Sequence, residues 1–253
     1  MIKPVILITV YRRYKELELT LRKIQENKDN FEKIPDVVIV WAAPEVGHIW
    51  FFQKMKEDRL YTKLLTRPKL TGIDGCISTT YPESQNLRLG LNYIKNSYDE
   101  NKYYALCLTA DMNLKTGTLG MIHGYMQENN SEHSNPKAFL FRWNNSCVKG
   151  DIWHTNLFAV VLDENYWPPV CSDKEHDVLE HKWGKELSEK SLPGIIKWVN
   201  YKNKYFFHGY EHIENAIECF SQKDSCELNL FVRGRKRFWR RIKELFLFWR
   251  YYG

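Results

Sequence analysis

Long apolar runs are missing from this chain: nowhere do about 18 uninterrupted apolar residues occur, so no segment is expected to span a bilayer. Paired cysteines are missing too. The six present, Cys76, Cys107, Cys147, Cys171, Cys219 and Cys226, form no C-x-x-C pair. That excludes a zinc ribbon and a thiol redox motif, and the cysteines are expected to be reduced and mostly buried. None of the eight histidines stands in an H-E-x-x-H motif, so a zinc hydrolase is not indicated. No Pro/Gly/Ser-rich linker, internal repeat or low-complexity tract divides the 253 residues. Such a length suits one large domain, or one domain with an appendage, around a substantial core. The opening Met1 to Val10 is too short, and too soon followed by Arg12 and Arg13, for a signal peptide; it is expected to be a first buried strand.

Aromatic residues are plentiful at 15%, with nine Trp. A surplus of this kind marks sugar-stacking or membrane-contacting surfaces, although packing is the commoner use of any single Trp. Charge is uneven. Residues 233 to 253 hold eight Lys/Arg against Glu244 alone, a local +7, while the rest of the chain has 29 basic and 30 acidic residues. The basic character belongs to the tail, so nucleic-acid binding by the globular part is not suggested.

Strand-like and helix-like segments alternate, which is the pattern of an α/β sheet with parallel strands. The spacing predicts a strand over Val5 to Val10, then a helix over Lys15 to Gln25 with Leu17, Leu21 and Ile24 on one face. A strand over Pro35 to Trp41, a turn at Ala42 to Glu45, a helix over Ile49 to Lys56 and a short strand over Tyr61 to Leu65 follow. Glycines make 71 to 75 a loop. Pro82 to Asn86 opens a helix carrying Leu87, Leu91 and Ile94. Further expectations are a strand from Tyr103, a helix over Thr116 to Gln127, strands over Ala138 to Trp143 and Asn156 to Leu162, and a polar helix over Asp173 to Glu189.

The Tyr103 strand ends abruptly in Asp111-Met112-Asn113. Open α/β sheets bind ligands beyond the carboxyl ends of their strands, and strand periodicity puts Asp111 and Asn113 on the same side. A carboxylate and an amide carbonyl are hard oxygen donors, suited to Mn²⁺ or Mg²⁺ shared with phosphate oxygens.

Three segments together, Val5 to Arg13, Ser84 to Leu91 and Leu108 to Asn113, resemble the GT-A-fold nucleotide-sugar glycosyltransferases, and the likeness covers roughly residues 1 to 210. The family's D-x-D metal motif reads D-x-N here. The resemblance implies a Rossmann-like, mostly parallel sheet flanked by helices, a nucleoside-diphosphate sugar donor, and a glycan or lipid-linked acceptor. It implies nucleotide contacts at Thr9, Tyr11 and Arg12, with Asp74, Asn86 and Arg88 on the same wall. A tyrosine can stack on a base, and an arginine can pair with phosphate. It further implies metal ligation by Asp111 and Asn113, joined by His208, and a catalytic carboxylate at the start of a late helix, for which Asp173, Glu175 and Asp177 are the candidates. The residues themselves do not choose among the three.

From Arg235 to Arg250, Phe238, Ile242, Leu245 and Trp249 recur at helical spacing against a densely basic side. This is the pattern of a helix lying in the plane of an anionic membrane surface. The expected organisation is thus a catalytic domain over 1–232 and an amphipathic tail over 233–253, in a cytoplasmic protein peripheral to the inner face of a membrane. A nucleotidyltransferase would use a related sheet, but it carries a Gly-rich loop after the first strand, and Tyr11 to Tyr14 contains no glycine. A non-catalytic membrane adaptor on a decayed transferase fold is the rival of a different class, kept open by Asn113.

Overall fold

The computed structural model describes residues 2–11, 13–27, 31, 33–42, 44, 46–67, 80–110, 112–115, 117–127, 136–143, 152–170, 182–183, 186–187, 196–201 and 206–208. The chain divides into two compact units, Met1–Tyr210 and Glu211–Gly253. The second unit, and with it the expected boundary at 232/233 and the basic helix, lies outside the described residues.

In the first unit the elements run β1 (Lys3–Val10), α1 (Tyr14–Glu26), β2 (Asp36–Ala42), a 3-10 turn (Val46–His48), α2 (Ile49–Glu57) and β3 (Lys63–Arg67). Then come α3 (Thr80–Ser97), β4 (Tyr103–Thr109), β5 (Met112–Leu114), α4 (Thr118–Met126), β6 (Ala138–Trp143) and β7 (Ile152–Val161). A second 3-10 turn (Glu164–Tyr166), β8 (Ile196–Tyr201) and β9 (Phe206–His208) follow among the described residues. Seven strands form one sheet in the order β3-β2-β1-β4-β7-β6-β8, and β5 pairs with β9 in a separate ribbon. β7 is antiparallel to both its neighbours; every other pairing in the large sheet is parallel. The mostly parallel α/β architecture read from the sequence is the one observed.

Central strands of such a sheet are covered on both faces and so read as unbroken apolar runs. β1 is KPVILITV and β4 is YYALCLT. Ile6, Ile8 and Val10, with Leu106 and Leu108, face one layer made by Leu17, Leu21 and Ile24 of α1, Phe51, Phe52 and Met55 of α2, and Leu119 and Ile122 of α4. Val5 and Leu7, with Ala105 and Cys107, face Leu87, Leu91 and Ile94 of α3, joined by Trp167, Trp183 and Leu187. Each of these large side chains contributes about 1.5–3 kcal/mol on leaving water. Two glycines are set by geometry. Gly117 precedes α4 at φ 83°, a left-handed conformation that side chains disfavour, and Gly90 lets α3 lie directly on Leu7.

Several boundaries differ from expectation. β3 begins at Lys63 rather than Tyr61, because Tyr61 is buried and its hydroxyl donates to Phe52 O of α2 at 3.0 Å. β7 starts at Ile152, four residues early, as it pairs with β6 as well as β4. β8 and β9 were not expected, and the single strand read from Tyr103 to Asn113 is two: β4 ends at Thr109, and Met112–Leu114 forms β5, which pairs with β9 rather than in the large sheet. Of the expected helix over 173–189, residues Lys182, Trp183, Glu186 and Leu187 are described, and they are helical. Trp183 is buried against Phe158 and donates its indole N–H to Tyr166 O at 3.1 Å. Cys107 is the one cysteine among the described residues; it is free and buried, and burial pushes its thiol pKa well up.

Candidate active site

From β1 the chain steps outward through β2 to β3, then returns across the sheet through α3 to β4 on the other side of β1. The strand order therefore reverses between β1 and β4, and it is outside the carboxyl ends of such a pair that open α/β sheets take their ligands. Thr9 and Thr109 lie side by side there in register, and Ala110 N–H donates to Thr9 O at 3.1 Å. Thr9 is nearly buried, whereas Tyr11, just past the end of β1, is 44% exposed. An exposed phenol ring at this edge offers a face to a planar base.

At the end of β2, where Trp41 lies opposite Val10 of β1, is an aromatic cluster that the sequence reading missed. Tyr14, the first residue of α1, stacks on His48 with ring centroids 3.9 Å apart and accepts a hydrogen bond from Trp41 Nε1 at 3.3 Å. Trp41 in turn stacks on Phe52 at 4.3 Å. Only scattered aromatics in separate segments signalled this cluster, and their convergence depends on β2 ending beside β1.

The other expected nucleotide-wall residues separate. Asn86 is buried in the first half of α3, whose start lies at the carboxyl edge, and its Oδ1 accepts from Arg67 Nε at the end of β3. It thereby holds a guanidinium at this edge, a cation the sequence offered only as the last residue before Pro68. Arg88 is drawn elsewhere. Its Nη2 donates to Pro168 O at 3.4 Å, its Nη1 lies 3.6 Å from Glu164, and the guanidinium sits 5.2 Å over the Trp167 ring. Those partners follow β7, whose last residue, Val161, lies beside Tyr104 at the amino end of β4. These are the contacts that the structure shows for Arg88, the third residue expected on that wall. Arg12 and Asp74 lie outside the described residues.

Of the metal candidates, Asp111 lies outside the described residues, and Asn113 and His208 are described in their backbone. β5 and β9 are antiparallel, with Met112 opposite His208, Asn113 opposite Phe207 and Leu114 opposite Phe206. The register brings a segment from the end of the unit, more than 90 residues on in sequence, across from the D-x-N segment. Thr20, buried in α1, donates to the carbonyls of Ala110 at 2.8 Å and Met112 at 3.1 Å. Asp173, Glu175 and Asp177 are outside the described residues. Among the described residues no three His, Cys, Asp or Glu side chains cluster as a metal site, and no helix is long and apolar enough to cross a membrane.

No protein-family model and no curated protein matches this chain. Among solved structures it is similar to residues 1–349 of S. aureus TarS, a glycosyltransferase, at 13% identity and a TM-score of 0.51 over 82% of this chain. The chain spans 60% of the length of that TarS structure. It is also similar, at 8% identity, over 79% of this chain and 80% of the other, to a Desulfovibrio desulfuricans G20 protein assigned as a nucleotide-diphospho-sugar transferase. That second likeness, at a TM-score of 0.44, is too loose to weigh. What the comparison establishes is the architecture: the chain has a GT-A-like glycosyltransferase fold.

Proposed function

We propose that this protein is a divalent-metal-dependent glycosyltransferase, which moves a sugar from a nucleoside-diphosphate sugar to a hydroxyl of a glycan or lipid-linked acceptor. The observation that carries the reading is the β5–β9 register at the topological switch. It sets the backbone of His208 beside the segment containing Asp111 and Asn113, two pieces of sequence singled out separately. The two oxygen donors fit the group by their chemistry: a carboxylate and an amide carbonyl suit Mn²⁺ or Mg²⁺, whereas His208 holds the register position of Met112, which alternates with that of Asn113. The ion would supply charge neutralisation for the departing diphosphate.

The chain's own residues account for the remaining steps. Tyr11 stacks on the base, Thr9 lines the strand end beneath it, and Arg12 pairs with phosphate. If the course is inverting, one of Asp173, Glu175 and Asp177 takes the proton of the acceptor hydroxyl as its oxygen attacks the anomeric carbon. The bond from that carbon to the diphosphate oxygen breaks, and its electron pair leaves with the diphosphate. In this reading the basic tail over 233–253 docks the protein on the inner face of an anionic membrane, where a lipid-linked acceptor would be presented.

The test is release of nucleoside diphosphate from a panel of nucleotide sugars, with and without Mn²⁺. Metal-dependent release from one donor, quickened by a glycan or lipid-linked acceptor, is expected. A folded protein that releases none from any donor contradicts the proposal and favours a non-catalytic adaptor.

A further inference from the structure

Thr20 sits midway along α1 with none of its surface exposed, on the helix face that carries Leu17, Leu21 and Ile24 into the core. Its hydroxyl reaches across 90 residues to Ala110 O at 2.8 Å and across 92 to Met112 O at 3.1 Å. These are the carbonyls of the two residues that flank Asp111. A hydroxyl has one hydrogen, so the two acceptors share a three-centre bond. Valine would fill nearly the same volume on this apolar face, and a buried hydroxyl without acceptors is costly. Valine would lose the hold on the two carbonyls that the threonine hydroxyl has here.

We propose that Thr20 is a positioning residue for the proposed metal-binding turn: it holds the carbonyls of Ala110 and Met112, the residues before and after Asp111 in sequence, and so bears on the affinity of that turn for the ion. The inference rests on the glycosyltransferase reading and adds to it a determinant of metal affinity from a helix that does not touch the ion. The helix is the one that begins at Tyr14, whose ring packs on His48 and on Trp41, the residue opposite Val10 at the end of β1. Thr20 therefore ties the proposed metal turn to the helix that follows β1. Groups that orient a metal ligand without binding the metal typically change its affinity by about 10–100-fold when lost.

The experiment compares the full-length parent chain with Thr20→Val, which removes the hydroxyl at nearly constant volume, and Thr20→Ser, which keeps it. Each is titrated with Mn²⁺ alone and with Mn²⁺ plus uridine, guanosine, adenosine or cytidine diphosphate, and the Mn²⁺ midpoint of thermal stabilisation is read. Thr20→Val is expected to raise that midpoint about tenfold or more, with metal-free nucleotide binding unchanged, and Thr20→Ser to restore the parent value. An unchanged midpoint in Thr20→Val, or equal loss in Thr20→Ser, overturns the positioning role while leaving the transferase reading intact. If the parent chain itself shows no Mn²⁺-dependent stabilisation, the transferase reading fails and the role of Thr20 with it. Should Thr20→Val not fold, Thr20→Cys, a weaker donor of similar size, is read by the same criteria.

Discussion

Replacing Gly90 by alanine opposes two effects of opposite sign, and the structure decides between them. Glycine inside a helix is about 1 kcal/mol worse than alanine, so a helix considered alone gains from Gly90→Ala. In α3, however, a Cβ at position 90 falls 2.3 Å from Leu7 Cδ1, 2.8 Å from Cδ2 and 3.0 Å from Cγ. Ordinary carbon contacts lie at about 3.5–4.0 Å, so an ångström or more must be found. Leu7 cannot supply it cheaply: it is fully buried in β1, in register with Val38 on one side and Cys107 on the other, both also fully buried. Relief then requires α3 to lift from the sheet or Leu7 to leave its rotamer, at about 1–3 kcal/mol for an overpacked core. The expected net result is a loss of about 0–2 kcal/mol, or up to a few degrees in Tm for a chain of this size. Urea unfolding followed by far-ultraviolet circular dichroism reads it. Leu7→Ala should cost about 2–5 kcal/mol alone, and the double variant less than the two losses together, because the new methyl group occupies vacated space. A Gly90→Ala variant more stable than its parent by about 1 kcal/mol, the bare helix-propensity gain, refutes the close approach of α3 and β1.

Three further outcomes are expected. Asp111→Ala should abolish divalent-ion-dependent turnover while the protein stays folded; full activity would show that the ion is not held there. Removal of residues 233–253 should release the protein from anionic liposomes in a sedimentation assay with nucleotide-sugar binding intact, and unchanged sedimentation rules out the membrane tail. The hydrogen bond from Lys95 at 2.6 Å and its charge, with Arg88 adding less, hold the Glu164 carboxyl below its ordinary pKa of 4.5. Its stabilising contribution is therefore present above that value and lost as pH falls through the lower folded one, so parent and Glu164→Gln should converge in stability at acid pH; a carboxyl NMR titration midpoint at or above 4.5 contradicts the contact.

The central fold was legible because its signals are local. β1, β2 and β4 are apolar runs, and α1 and α3 carry Leu17, Leu21, Ile24 and Leu87, Leu91, Ile94 at helical spacing. β8 and β9 were not legible, since each depends on a partner remote in sequence: β8 pairs with β6, and the three residues of β9 pair with β5. The same limit applies to the site. Thr9 and Tyr11 could be placed from the end of a strand, and they stand at the switch between β1 and β4. Arg88 was read with Asn86 from their closeness in one helix, but Trp167 and Glu164, from a connection much later in the chain, draw it away. Thr20 looks like a neutral helix residue until the β4–β5 connection is brought against it. Arg67 gains its place through Asn86, a contact that spacing does not reveal.

Thermal stabilisation of the full chain by nucleoside diphosphates and nucleotide sugars, each with and without Mn²⁺, tests the central claim most directly, since a ligand that binds only the native state raises its apparent stability. The account predicts a shift that requires the metal and is larger for one base than for the others. A folded protein whose melting temperature none of these ligands moves, with or without Mn²⁺, would contradict it.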